Sequence, residues 1–231
     1  MAGAAPDDRS DLLSIPWSDA VRFIRQLIHD LRNHLNAIEL QSAYVSELEG
    51  TENLKAEVKR LREMISGLTL ALQKLSRKLG DVKPDLISYP ASDFVEDLRK
   101  KIAQEFPNNS DDITWKIEAS DAVLNIAPEL LQEAFIELFA NAFRHDRGKG
   151  AFVAKVTVDR KQFIFTLQEP KERFELSTAN WGREPLRKIS HGHYSLGLNR
   201  VRTIVEAQGG KAHAQYDPKS ATLATTLTLP L

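Results

Sequence analysis

Residues 54–79 read LKAEVKRLREMISGLTLALQKLSRKL, and an aliphatic residue recurs in this stretch at alternating steps of four and three. The recurring residues are Leu54, Val58, Leu61, Ile65, Leu68, Leu72, Leu75 and Leu79. An unbroken alternation of this kind is a coiled-coil repeat. It predicts one long helix with a continuous apolar seam along one side.

The preceding residues carry a second seam of the same type. Residues 17–49 predict a long helix whose apolar side is formed by Ile24, Ile28, Leu31, Leu35, Ile38 and Val45, with one step missed at Ser42. Gly50 then interrupts the pattern, and Thr51 is a good N-cap for the next helix. Two long helices joined by a tight turn make an antiparallel hairpin. One hairpin cannot cover its own seam, whereas two make a four-helix bundle, so the sequence predicts a homodimer through residues 17–80.

The pattern changes after Gly80, where GDVKP reads as a linker. Strands and helices then alternate, with strand signals in LISYP, DITWKIE, VLNI, AFVAKVTVD, QFIFTLQ, KAHAQY and TLATTLTLPL. Helices are expected from Ser92 as a cap, from Pro128 and from Leu196. This order predicts an α+β fold in which helices cover one face of a sheet. The expected domains are a flexible N-terminus (1–16), the hairpin (17–80) and the sheet domain (81–231).

Composition excludes several classes of protein. The 231 residues include no cysteine, which rules out disulfides, thiolate catalysis and zinc–thiolate sites. The formal net charge of −1 argues against broad electrostatic binding of nucleic acid. No stretch reaches the roughly 20 consecutive apolar residues of a membrane span, and MAGAAPDDRSD lacks the layout of a signal peptide. The expectation is a cytoplasmic protein with neither a nucleic-acid partner nor a membrane partner.

The segment HDLRNHL (29–35) places polar residues on the outer side of the first helix. With Ile28 and Leu31 at heptad positions a and d, His29 falls at b, Asp30 at c and Asn33 at f. An exposed imidazole is nucleophilic near neutral pH, and a neighbouring carboxylate can fix its tautomer. An exposed histidine is, however, more often simply solvated. A metal site with His34 is disfavoured, because it points about 140° away from His29 and no third ligand is near.

Four segments in this order resemble the two-component histidine kinases. HDLRNHL is similar to their phospho-accepting H-box, ELFANAFRH (137–145) to their N-box, SLGLNRVRTIVEAQGGKAHAQ (195–215) to the segment after their lid, and LTLPL to their last strand. The resemblance runs from about residue 20 to the C-terminus. It implies a phosphohistidine at His29, with Asp30 assisting proton transfer and Asn33 orienting the chemistry. It also implies that residues 81–231 form an α/β sandwich like the family's ATP-binding (Bergerat) domain.

The resemblance fails in the glycine-rich parts of the ATP site. In the family a strand runs into Asp-x-Gly-x-Gly, whereas this chain has FTLQEPKERFE. Glu169 stands at the aspartate that reads adenine, and Lys171 and Arg173 stand at the glycines, whose freedom and small size they lack. A second glycine-rich box would fall on residues 191–198, where only Leu196, Gly197 and Leu198 fit. The site is therefore expected to be degenerate, and ATP binding is doubtful.

The N-box segment matches the family pattern better than the glycine-rich segments do. In the family, the positions of Glu137 and Asn141 face the nucleotide and Asn141 would hold Mg²⁺, so Glu137, Asn141 and Gly197 are the expected residues of a vestigial nucleotide site. The alternative is that the line of Glu133, Glu137, Asn141 and His145 is the solvated side of an amphipathic helix.

The resemblance and its failures together favour a dimeric histidine phosphotransferase of a two-component phosphorelay. His29 would shuttle a phosphoryl group between the aspartates of response-regulator receiver domains, without ATP-dependent autophosphorylation. No tightly bound cofactor is expected, since the receiver would supply Mg²⁺. One alternative is a soluble histidine autokinase with a divergent ATP site. A second is a non-catalytic adaptor that binds response regulators.

Overall fold

The computed structural model describes residues 17–47, 52–118, 122–144, 148–159, 161–174, 178–179, 181–183 and 196–231. The chain divides into two units between Gly80 and Asp81. The expected flexible N-terminus and the turn at Gly50 and Thr51 lie outside the described residues.

The first unit contains two helices, α1 (Trp17–Glu47) and α2 (Glu52–Leu79), which pack against each other. Their seam residues fall into two classes. The a positions are only 3% to 8% exposed; they are Ile28, Leu35, Val58, Ile65, Leu72 and Leu79. Of the d positions, five remain 40% to 52% exposed; they are Leu31, Ile38, Leu54, Leu61 and Leu68. The other three, Ile24, Val45 and Leu75, are partly buried. One hairpin therefore buries its a row and leaves most of its d row exposed.

Two polar side chains of the hairpin bond to its own backbone. Ser42, at the missed step of the seam, is buried, and its hydroxyl donates to the Glu39 carbonyl at 2.8 Å. The Arg25 Nε donates to the Leu79 carbonyl at 2.9 Å and so ties α1 to the last turn of α2. None of the helices in the described ranges is apolar over enough residues to cross a membrane.

The second unit is built on a five-stranded sheet. Its elements, in chain order, are β1 (Ile87–Pro90), α3 (Ala91–Glu105), a 3₁₀ turn (Ser110–Asp112), β2 (Ile113–Glu118), β3 (Val123–Ile126), α4 (Pro128–Arg144), β4 (Phe152–Asp159), β5 (Gln162–Pro170), α5 (Gly197–Ala207), β6 (Lys211–Asp217) and β7 (Thr222–Pro230). The strand order is β2-β4-β5-β7-β6; β2 and β4 are parallel and the other neighbours antiparallel. β1 and β3 form a separate antiparallel pair. The predicted α+β class is confirmed.

The core of this unit lies between the sheet and the helices. On β5, Phe163, Phe165 and Leu167 are fully buried, whereas the residues between them are partly exposed, as the alternation of a strand requires. The ring of Phe135 on α4 meets that of Phe165 edge-on, with centroids 4.5 Å apart. Edge-to-face rings at this distance add specificity to apolar burial. The helices are thus fixed on one face of the sheet.

Two local predictions need correction. α3 begins at Ala91 after Pro90, so Ser92 is not its N-cap; the Ser92 hydroxyl donates to the Asp93 carboxylate instead. β5 continues two residues beyond the predicted QFIFTLQ, because Glu169 pairs with Leu223 and Pro170 with Thr222 on β7. The residues that replace the family's glycine-rich turn therefore begin inside a strand.

Candidate functional site

His29 stands on the outer side of α1 with its side chain 65% exposed. Its Nδ1 lies 3.2 Å from Asp30 Oδ1 and 3.4 Å from Asn33 Nδ2. Gln26 Nε2 donates to the same Asp30 oxygen at 2.9 Å and so helps to hold the carboxylate in place. The fold therefore brings the three residues predicted from HDLRNHL into one cluster; their catalytic roles stay predictions.

The cluster favours one tautomer of His29. Nδ1 cannot donate to Asp30 and accept from the Asn33 amide at once. The contact with Asp30 is the shorter one, and a charged carboxylate is the stronger partner, so Nδ1–H donates to Asp30. Nε2 then carries the free lone pair on an exposed ring. That is the arrangement a nucleophilic imidazole needs.

A metal centre has no support in the parts of the chain that the structure describes. No three histidine, aspartate or glutamate side chains are grouped there so that they could hold an ion. His34 is exposed on the same helix as His29. Since it lies five residues further along, it belongs to another side of α1.

In the second unit, Glu169 and Lys171 form a buried ion pair. Both side chains are at most 5% exposed, and Lys171 Nζ lies 3.5 Å from Glu169 Oε2. Burial raises the pKa of Glu169 from 4.5 to about 7, although the ammonium of Lys171 acts in the opposite direction. The backbone of Lys171 is fixed as well, because its N–H donates to the Ala221 carbonyl at 2.8 Å and its carbonyl accepts from the Tyr216 hydroxyl at 3.1 Å. The residue at the family's adenine-reading position is thus bonded to the chain's own lysine.

The polar line of α4 faces α5. Glu133 accepts a hydrogen bond from Nε of the buried Arg200 at 3.0 Å. The carboxylate of Glu137 lies against Gly197, where a β-carbon would overlap it. Gly197 begins α5, so this carboxylate lies at the positive end of the helix dipole. The line is therefore not a solvated face at Glu133 and Glu137; Asn141 is half-buried, and His145 lies outside the described residues.

Two of the residues predicted for a vestigial nucleotide site lie next to each other. The structure brings Glu137 and Gly197 together, whereas residues 191–195 of the second glycine-rich box lie outside the described residues. Arg200 was not expected to take part, because it is 67 residues from Glu133 and no local pattern joins them. Strand periodicity could have revealed the Glu169–Lys171 pair, since residues two apart on an extended chain point to the same face.

The raised pKa of Glu169 makes the free energy of unfolding depend on pH. Between pH 4.5 and about 7 the folded chain holds the Glu169 proton and the unfolded chain does not. This group therefore lowers the free energy of unfolding as the pH rises through that window, by up to about 3 kcal/mol, and has no further effect above it. We expect the Glu169→Gln/Lys171→Met double variant to lose less stability between pH 5 and pH 8 than the wild type. Denaturant unfolding at both pH values measures this, and equal losses would contradict it.

No family model and no curated protein matches the sequence of this chain. Solved structures match its fold. The full-length histidine kinase ShkA, in complex with AMPPNP, superposes with a TM-score of 0.64 at 15% identity, over 90% of this chain and 45% of ShkA. The present chain thus spans less than half of that protein. The nucleotide-free catalytic domain of the histidine kinase ThkA matches with a TM-score of 0.50 at 12% identity, over 63% of this chain and 95% of that domain.

Identities this low establish architecture and leave activity open. The chain has the fold of the histidine kinases, with two N-terminal helices followed by a domain that has the histidine kinase ATP-binding fold.

Proposed function

We propose that this protein is a histidine phosphotransferase of a two-component phosphorelay. His29 takes a phosphoryl group from the phosphorylated aspartate of one response-regulator receiver domain and passes it to the aspartate of another. The observation that carries the proposal is the exposed imidazole on a helix, with Nδ1 held by Asp30 and Nε2 free. A helix positions such a group better than a loop does.

The transfer step uses few protein groups. The Nε2 lone pair attacks phosphorus and forms a P–N bond, while the P–O bond to the receiver aspartate breaks and its electrons leave with that carboxylate. Nδ1 keeps its proton throughout, and the Asp30 carboxylate stabilises the positive charge that the ring gains. The receiver would supply Mg²⁺ and a lysine to neutralise the phosphoryl oxygens. The protein itself needs only a positioned nucleophile.

ATP fits the second unit poorly as a phosphoryl donor. An adenine amino group would have to take the Glu169 carboxylate from Lys171, which is buried beside it. The chain's own lysine therefore holds the carboxylate that stands at the adenine-reading position of the resemblance.

Titration calorimetry with a non-hydrolysable ATP analogue and Mg²⁺ tests this directly. We expect no binding tighter than about 1 mM, which corresponds to about −4 kcal/mol. Asn141→Ala serves as the control. If the wild type and Asn141→Ala give the same weak heat of binding, that heat does not come from the predicted nucleotide site. A micromolar dissociation constant that Asn141→Ala weakens would favour the autokinase over the phosphotransferase.

The proposal includes a homodimer through residues 17–80. The exposed d row runs along both helices of the hairpin, from Leu31 and Ile38 on α1 to Leu54, Leu61 and Leu68 on α2. Because each of these side chains is already about half buried, burying the remainder would contribute about 0.7–1.5 kcal/mol per side chain. A second hairpin with the same row is a partner of the right pattern, and the two would make a four-helix bundle.

A further inference from the structure

Arg32, three residues after His29, has no hydrogen-bond or ion-pair partner among the described residues. Its side chain is half-buried on α1, and its Nε is sealed from solvent with no hydrogen-bond partner. No ion pair joins its guanidinium to a carboxylate among the residues that the structure describes. We propose that Arg32 binds the phosphoryl group carried by His29, an inference that rests on the proposed function.

The position of Arg32 on the helix suits this role. Arg32 follows His29 by three residues, so the two β-carbons are about 5–6 Å apart. The Cα–Cβ bond of a helical residue tilts toward the N-terminus, so an extended Arg32 side chain can reach the turn that carries His29. Asn33 lies on the other side of the same imidazole, with its Nδ2 3.4 Å from Nδ1 of the ring. The side of the imidazole away from Asn33 is therefore the one that Arg32 can reach.

Among the described residues of α2, those at the level of Arg32 include no carboxylate. One heptad further along α1, Glu39 lines a hollow together with Arg62 and Ser66 of α2. The two helices run antiparallel, so a step of seven residues back along α1 corresponds to a step of seven residues forward along α2. Arg32, seven residues before Glu39, therefore lies at the level of Thr69 and Gln73, which follow Arg62 and Ser66 by seven residues. The Thr69 hydroxyl is also buried without a partner.

The buried Nε distinguishes Arg32 from an ordinary surface cation. A buried polar group without a partner costs about 1–3 kcal/mol, so the resting position of Nε is unfavourable. A phosphoryl group carries about two negative charges and three acceptor oxygens, which match the planar donors of a guanidinium. By turning outward toward a phosphoryl group on His29, Arg32 would gain the acceptor that it lacks at rest.

Chemical phosphorylation by phosphoramidate tests the role of Arg32 without any receiver domain. In this reaction the Nε2 lone pair of His29 displaces ammonia from phosphorus, so a P–N bond forms as another breaks. The full chain and the variants Arg32→Gln, Arg32→Lys, Arg22→Ala and Thr69→Val are labelled in parallel, and phosphohistidine is followed by intact mass and by ³¹P NMR. Arg22→Ala removes the same charge one heptad before His29, on the same face.

We expect Arg32→Gln to slow labelling about 10-fold and to shift the ³¹P resonance; the effect stays modest because the half-exposed site is screened by solvent. Arg32→Lys should recover part of the rate, while Arg22→Ala and Thr69→Val stay within about twofold of the wild type. A wild-type rate in Arg32→Gln overturns the proposal. A Thr69→Val variant that is as slow as Arg32→Gln also overturns it, since Arg32 would then act through hairpin packing. Failure of the wild type itself to be labelled counts against His29 as a nucleophile, and hence against the proposed function.

Discussion

Replacing His29 with alanine is expected to reduce phosphoryl transfer from a phosphorylated receiver domain by more than about 10³-fold, because removing a nucleophile removes the covalent step itself. The measurement is the fraction of the chain that acquires an acid-labile phosphoryl group after incubation with a receiver phosphorylated by a small-molecule donor. Asp30→Asn should have a smaller effect, since it leaves Nε2 in place and weakens only the partner of Nδ1.

His34→Ala is the matched control for this experiment. His34 is an exposed histidine on the same helix, on a different side from His29. Transfer should therefore stay near the wild-type rate in His34→Ala. Labelling that survives in His29→Ala would refute the assignment of the phosphoacceptor. If phosphorylated receivers fail to label even the wild type, the adaptor alternative gains the support that the phosphotransferase loses.

Replacing Leu68 with glutamate is expected to dissociate the homodimer. Leu68 is at a d position of α2 and half-exposed in the single hairpin, so the proposed bundle would bury two copies of it. Each copy of the substitution loses about 0.7–1.5 kcal/mol of apolar burial and adds at least about 1–3 kcal/mol for a buried, unpaired carboxylate, so two copies should raise the dissociation constant at least about 100-fold. Size-exclusion chromatography with light scattering at micromolar concentration should find a dimer for the wild type and a monomer for Leu68→Glu.

Leu70→Glu is the control that distinguishes the loss of an apolar seam residue from the general effect of adding a negative charge to α2. Leu70 is 52% exposed and Leu68 50%, but Leu70 falls at an outward position of the heptad repeat. Leu70→Glu should therefore remain dimeric. A monomeric wild type would contradict the homodimer, and so would a Leu70→Glu variant that dissociates as readily as Leu68→Glu.

The hairpin was predictable because its signal is local. The alternation of four and three from Leu54 to Leu79 sets the helix and its apolar side without reference to the rest of the chain. The division of that side into a buried row and an exposed row was not predictable. Leu61 and Leu72 are the same residue type in the same repeat, and only the packing of α1 against α2 distinguishes them.

The candidate sites also contain features that local residue spacing predicts and features that depend on tertiary packing. The cluster around His29 was predictable, because neighbours along one helix are fixed by residue spacing. The sequence also marked Glu169 and Lys171 as departures from the family pattern, but their ion pair depends on the extension of β5 along β7. The contact between Glu137 and Gly197 depends on the packing of α4 against α5. A contact between two helices, such as that of Glu137 with Gly197, comes from tertiary structure and leaves no periodic trace in the sequence.

The source of the phosphoryl group is the central claim, and one labelling experiment with two donors tests it most directly. The full chain is incubated with Mg²⁺ and either γ-labelled ATP alone or a labelled, phosphorylated receiver domain, and the labelled residue is mapped by mass spectrometry. We expect label on His29 from the receiver and none from ATP. Label on His29 from ATP alone would contradict the account and identify the protein as an autokinase.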